Sequence, residues 1–262
     1  RHGPDILTPA KDAFLASDYA KKHGITNVEW LPVDPVGWEQ VIKDSANKPG
    51  QEIDVAWGGG PPIFDFLVDS GLAAPITSDE VKQVVSGFPK EIAGATVYRQ
   101  SGGAYVWIGA AISSFGFTTN LDFLQKAKLP SPSTWIDLAN ETYARTLPIP
   151  SIATADPVVS TSNERIFEII IQGYGWEKGW QIVTLMAANA RMYDESGLVR
   201  DAAIRGDVGI ATTIDFYGYQ AIISNPRFCQ YVVPTDGSIV NADPIALLKS
   251  SKHPDEAQAF IA

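Results

Sequence analysis

The chain has 262 residues, 45 % of them hydrophobic, and a formal net charge of −10. That is enough apolar material for a well-buried core in one or two domains. The acidity excludes the basic face that nucleic acid or a polybasic membrane contact requires, and a single cysteine, Cys229, excludes an intramolecular disulfide or a cysteine metal cluster.

Taken in chain order, Thr8-Pro9 followed by residues 10–23 and Gly24 reads as a capped helix with a glycine stop. A strand is predicted over 28–33, a helix over 37–45, and a strand over 53–57. That strand runs into Gly58-Gly59-Gly60-Pro61-Pro62, and a helix follows from Ile63 to Ser70. Short strands alternating with helices point to a mostly parallel sheet. Residues 105–111 and 113–120 are both extended, with no helix between them, as in a chain passing from one lobe to another. Beyond them, helices are predicted over 121–127, from Thr134, over 163–174, 176–188 and 216–224. Strands are predicted over 147–153 and 206–212, with extended segments at 231–234 and 245–249. No apolar run approaches the length of a membrane span. Most of the seven tryptophans read as core, with Trp57 as the exception.

Three constellations carry candidate chemistry. The glycine run lets a ligand approach the main chain closely, and the N–H groups of the next helix favour an anion there. Gly58, Gly59, Gly60 and the adjacent Trp57 are therefore candidate ligand contacts. The second is Ser160-Thr161-Ser162, whose hydroxyls lie at the start of another helix, with Thr161 and Glu164 at capping-box spacing. The third is Thr212 to Tyr219, where Asp215 caps a helix and Tyr217 can offer its ring and hydroxyl to a ligand. Arg1 and His2 sit before a glycine-proline turn, and an arginine there can hold a carboxylate or phosphate by two hydrogen bonds.

Catalytic patterns are missing. There is no G-x-S-x-G elbow, P-loop or dinucleotide fingerprint. His2, His23 and His253 have no zinc spacing. The expectation is a binding protein without cofactor or resident metal, not an enzyme.

At these residues the chain resembles an extracytoplasmic solute-binding protein of an ABC importer, in the ferric-binding-like subgroup of type II periplasmic binding proteins. The segments carrying the resemblance run in the family's order: Arg1 to Gly3, Ile53 to Asp65, Ser113 to Asn120, Ala155 to Pro157 with the hydroxyl run, Gly175 to Trp180, Arg205 to Ile210, Thr213 to Tyr219, Asn241 to Ala246, and His253 to Ala257. Asp243, in the eighth of them, joins the candidate contacts. The resemblance implies two α/β lobes, each a mostly parallel sheet flanked by helices, joined by two hinge strands that close on a ligand between them. The expected division is 1–112 and 239–262 in one lobe and 113–238 in the other. Family members that hold bare ferric iron use a histidine, a glutamate and two adjacent tyrosines. Here His2 fits the first place, Gly59 stands at the glutamate position, and Phe216-Tyr217 replaces the tyrosine pair. A hard cation needs several anionic oxygens. The expectation is therefore a small anionic or polar organic solute: a phosphorylated compound, a phosphonate or an organic acid. Ferric iron held by His2 and Tyr217 is the alternative, and an enzyme on the same bilobed fold is a second.

The implied partners are the solute and a membrane permease, with no nucleic acid; the implied state is a monomer. Residue 1 opens without an initiator methionine and residue 262 falls within a helical pattern. An export or lipid-anchor segment upstream is expected, with the protein outside the cytoplasm.

Overall fold

The computed structural model describes residues 2–31, 33 and 37–262. The chain forms two compact units. The first runs to Ile112 and includes Asn241–Ala262; the second is Ser113–Val240. The return crossing thus falls two residues later than expected.

The first unit begins with helices α1 (Pro4–Ala16) and α2 (Asp18–Lys22). The start differs from the sequence expectation. Pro4 sits at a first-turn position that suits its fixed φ, so the helix begins before Thr8 and Pro9 falls inside it. Ser17 then accepts a hydrogen bond from the Ala20 N–H and starts α2, which divides the single helix expected over 10–23. Residues 28–31 and 33 are irregular instead of forming a strand. Trp30 packs its ring on Trp57 and Phe260.

Next come α3 (Trp38–Ala46), β1 (Val55–Trp57), α4 (Pro61–Asp69) and α5 (Asp79–Val85). A small hairpin, β2 (Glu91–Ile92) with β3 (Ala95–Thr96), precedes β4 (Tyr98–Ser101). The strand β5 (Ala104–Asn120) is continuous over 17 residues and carries the chain into the second unit.

The second unit contains α6 (Leu121–Ala127), β6 (Ile152–Ala155), α7 (Thr161–Tyr174) and α8 (Trp176–Ala188). It continues with β7 (Ala190–Tyr193), α9 (Ser196–Arg205), β8 (Ile210–Ile214), α10 (Asp215–Ser224) and β9 (Cys229–Val232). The helix expected from Thr134 is a 3₁₀ turn over Ile136–Ala139, and another covers Glu141–Thr146. Pro148 and Pro150 lack the N–H groups a strand ladder needs, so β6 starts at Ile152, later than predicted. The chain returns through β10 (Val240–Leu247) and ends in α11 (Pro254–Ile261).

Parallel pairing extends less far than the alternation suggests. In the first unit β1–β10 and β4–β5 are antiparallel. In the second, β6 pairs in parallel with β7 and β8, whereas β5 pairs antiparallel with β8 and β9. The strand that crosses between units sets this, because it lies opposite in direction to β8.

Each unit has its own core. In the first, Phe64, Leu67 and Trp107 pack on one face of the sheet strands and Ile76, Val81 and Ile108 form a second cluster. Asp65 accepts hydrogen bonds from Trp107 Nε1 and Arg99 Nη1, both at 2.9 Å, which ties α4 to β4 and β5. In the second unit, Phe115, Phe117, Trp135, Ile152, Ile166 and Met186 meet between sheet and helices. Trp107 and Trp135 are buried as expected of core residues, but Trp176 is 72 % and Trp180 43 % exposed. Their positions on α8, four residues apart, let the two rings pack edge to face on the outer side of the helix. Cys229 is a free, buried thiol, and burial pushes its pKa up.

Candidate functional site

The glycine corner of the first unit follows from backbone geometry. Gly58, Gly59 and Gly60 have φ of 97°, 88° and 85°. Gly60 also has ψ 163°, a region open essentially to glycine alone. Gly58 N–H donates to Pro244 O at 2.9 Å, joining the corner to β10. A Cβ on Gly58 would stand 2.9 Å from His2 Nε2, and one on Gly60 would stand 3.0 Å from Asn241 Nδ2. At Gly58 and Gly60 the missing side chain is therefore needed by the protein's own neighbours.

His2 Nε2 lies 2.9 Å from Asp243 Oδ2, in ion-pair range but without hydrogen-bond alignment, and the imidazole packs on Trp57 with ring centroids 4.5 Å apart. Trp57 also faces Trp30 and Phe260, and its buried Nε1 has no partner among the described residues. The corner thus gathers His2, Trp57, Gly58 and Asp243, with Asn241 added. Arg1 lies outside the described residues.

The helix after this corner starts earlier than Ile63. Pro61 and Pro62 form its first turn. Neither carries an N–H, so two of the donors that usually greet an anion at a helix start do not exist. The dipole remains; the cradle is thinner than expected.

The hydroxyl corner of the second unit has a different origin. Strands β6, β7 and β8 run parallel, so their carboxyl ends share one edge. Helices α7, α9 and α10 all begin just beyond it, at the place where parallel α/β sheets bind ligands. Ser160, not Thr161, is the N-cap of α7; its Oγ accepts from Asn163 N–H at 3.3 Å. Thr161 and Ser162 are half-buried in the first turn.

Asn163 organises the corner. It is fully buried, and its Oδ1 accepts from Thr154 Oγ1 at 3.0 Å and Thr212 Oγ1 at 2.7 Å. Its Nδ2 donates to Ser160 Oγ at 3.1 Å and Ser196 Oγ at 3.2 Å. Ser160 and Ser196 hydroxyls are 2.7 Å apart. Two strands and two helices are locked together by satisfied polar groups, a rigid arrangement in a low-dielectric setting.

Asp215 is committed to structure. Its Oδ2 accepts from Ser114 N–H at 2.8 Å and Ser114 Oγ at 3.2 Å, and its Oδ1 accepts from Phe216 N–H at 2.7 Å. Tyr217 is half-buried; its ring lies 4.1 Å from Phe216 and under the Arg200 guanidinium at 5.0 Å.

Ser196 and Arg200 escape a sequence reading that misses α9, and Asn163, although it falls in a predicted helix, is not singled out because its partners come from other elements. The signal was present: Val199, Ala202 and Ala203 have helical spacing and all are buried, and Gly206 at φ 73° ends the helix. Among the described residues no three His, Cys, Asp or Glu side chains converge on a metal-sized site.

The chain is thus two α/β units joined through the crossing strands β5 and β10, with polar corners at strand ends, the architecture of bilobed binding proteins. Over residues 15–262 the chain matches the family described as bacterial extracellular solute-binding protein, and it belongs to that family. It is 29 % identical over 261 residues to the phosphoglycerate transport regulatory protein PgtC of Salmonella typhimurium, covering 97 % of this chain and 59 % of PgtC. The chain thus spans under two thirds of that curated relative's length. The fold is shared with the periplasmic binding protein AfuA from Actinobacillus pleuropneumoniae, bound to fructose-6-phosphate, with TM-score 0.76, 18 % identity and coverage of 99 % of this chain and 75 % of that one. It is also shared with iron-bound HitA from Pseudomonas aeruginosa, with TM-score 0.70, 21 % identity and coverage of 96 % and 76 %.

Proposed function

We propose that this chain is the solute-capturing part of a receptor that serves an ABC importer outside the cytoplasm. Its solute is a small anionic organic compound, with phosphorylated compounds foremost. One observation carries this reading: three helix starts at a single sheet edge, braced by the buried Asn163 with Ser160 and Ser196. Helix starts favour negative charge, and a rigid donor set loses little freedom when an anion docks. Thr161 and Ser162, half-buried in the first turn of α7, are the hydroxyls offered to the solute. Tyr217 supplies an adjoining ring.

Two of the similar proteins support an anion, whereas HitA holds iron. PgtC is named for phosphoglycerate and AfuA holds fructose-6-phosphate. For iron, the first unit offers His2 already facing Asp243, and in the second both Asp215 oxygens serve the backbone. That is a poor supply of anionic oxygens for a hard trivalent cation. The role is binding and delivery without chemical change to the solute, consistent with a family of binding proteins. Among the described residues no helix is long and apolar enough to cross a membrane. Membership of the extracellular solute-binding family supports a membrane permease as the partner that carries the solute across.

Calorimetric titration with phosphoglycerate, a sugar phosphate and ferric citrate tests the reading. Saturable binding of a phosphorylated probe, with return of that probe intact, is expected. A ferric tyrosinate absorbance with no phosphorylated ligand, or turnover of the probe, would overturn it.

A further inference from the structure

The glycine corner of the first unit carries polar groups whose bonding capacity the fold does not use up. Side chains alternate between the two faces of a strand. On β10, Ala242 and Pro244 are buried, Ala242 in the core with Phe64 and Trp107, whereas Asn241 and Asp243 share the opposite face and are half-buried. β10 runs antiparallel to β1, with Trp57 opposite Ile245. Asn241 and Asp243 therefore lie beyond the carboxyl end of β1, beside the glycines. Gly60 leaves room for the Asn241 amide, whose Nδ2 stands 3.0 Å from where a Cβ would be. Among the described residues that amide has no hydrogen-bond partner. His2 Nε2 is buried and faces Asp243 Oδ2 at 2.9 Å; the Asp243 side chain is 19 % exposed, and its Oδ1 has no partner among the described residues.

We infer that Asn241 and Asp243 form a subsite for hydroxyl groups, so that the solute is a phosphorylated compound that also carries hydroxyls, as sugar phosphates and glycerol phosphates do; this rests on the receptor reading above. A hydroxyl both donates and accepts. The Asp243 carboxylate only accepts, and the Asn241 amide offers two donors and an acceptor. One hydroxyl can donate to Asp243 while its neighbour on the next carbon bonds Asn241 in either sense. The bond to the carboxylate is charge-assisted and so the stronger of the two. An anionic oxygen has no proton to give Asp243 and meets a like charge there, so at this corner a hydroxyl is preferred to a carboxylate or phosphoryl oxygen. Both side chains are held before the solute arrives: His2, packed on Trp57 and against Gly58, faces the carboxylate, and the amide sits close over Gly60. Little side-chain freedom is then lost on binding.

Calorimetric titrations of the whole chain with glycerol 3-phosphate and with propyl phosphate, which keeps the phosphoryl group and lacks the hydroxyls, test this on wild type, Asn241→Ala and Asp243→Asn. Thermal melts confirm that each variant is folded. Wild type should bind glycerol 3-phosphate about 30-fold more tightly than propyl phosphate. Each variant should lose about tenfold on glycerol 3-phosphate and less than about twofold on propyl phosphate, the pattern of lost hydrogen bonds to the hydroxyls alone. If wild type binds the two probes equally, or binds neither while binding another phosphorylated compound, the inference falls and the receptor reading stands. The same holds if both variants bind as wild type does or weaken the two probes alike. If wild type binds no phosphorylated compound, the receptor reading itself fails and takes the inference with it.

Discussion

The two corners reach similar ends by opposite means. The glycine corner of the first unit depends on backbone conformations denied to other residues, and His2, Asn241 and Trp57 crowd against it. The hydroxyl corner of the second unit depends on side chains, with ordinary backbone and a buried asparagine that joins β6, β8, α7 and α9. A glycine run is conspicuous in a sequence, yet here it serves close packing and leads into a helix whose first two residues are prolines. The quieter Ser-Thr-Ser-Asn run builds the more fully hydrogen-bonded corner, and it is the one proposed here to take the anion. How conspicuous a motif looks and how many donors it supplies are separate properties.

The comparison can be broken most forcefully at Asn163. Asn163→Ala removes the buried amide that joins the Ser160–Ser196 pair to the Thr154–Thr212 pair and leaves a cavity there, and should lower unfolding free energy by about 3 kcal/mol. It should also weaken solute binding. Urea unfolding monitored by fluorescence checks the first effect; unchanged stability would mean the network is incidental. Gly60→Ala comes next. It forces a Cβ into a glycine-only conformation and against Asn241, at about 2 kcal/mol. Its thermal midpoint should fall, and an unchanged midpoint would show that this corner tolerates side chains. Ser160→Ala removes an N-cap at about 1 kcal/mol and should shift the urea midpoint less than Asn163→Ala does. A larger shift would make Ser160 the keystone in place of Asn163.

The smallest effects concern acid stability, where the two units again differ in origin. The Glu80 carboxyl in the first unit is held below its ordinary pKa, chiefly by a hydrogen bond from Lys22, with lesser help from His23. In the second unit burial raises the Asp137 pKa, but N–H groups of Ser133 and Thr134 with their hydroxyls together outweigh it and the net shift is downward. Both groups stabilise the fold above their unfolded pKa values, near 4, and that contribution is lost as pH falls through the lowered folded values. Glu80→Gln should therefore reduce the melting temperature at pH 7 and leave it unchanged near pH 2. Added salt should erode the Glu80 contribution, which comes from an ion pair with the exposed Lys22, and spare that of Asp137, whose donors are uncharged. Equal salt sensitivity of Glu80→Gln and Asp137→Asn would contradict the distinction.

Much of the fold was legible in the residues. α8 over Trp176–Ala188 and α6 over Leu121–Ala127 have the bounds their periodicity predicts, because glycine and asparagine punctuate them and their apolar faces are regular. The unbroken extended run at 104–120 announces the crossing. Other elements were hidden by tertiary effects. Residues 28–31 look like a strand but have no sheet partner among the described residues, and Trp30 packs its ring on Trp57 and Phe260 instead. α9 escaped because Gly197 and Asp201 dilute a short apolar face. With it went Ser196 and Arg200, so half of the hydroxyl corner was invisible although its Ser160–Ser162 half was read correctly as a helix start. Pairing distances such as Ser160 to Ser196, 36 residues apart in sequence, are set by sheet topology and leave no local trace.

The central claim is that the hydroxyl corner binds an anionic solute, and the most direct measurement is a phosphoglycerate titration of wild type beside a Thr161→Ala/Ser162→Ala double variant. Saturable binding by wild type and a loss of about tenfold or more in the variant, with the melting temperature nearly unchanged, is the expected result. Equal affinity in the two proteins would contradict it.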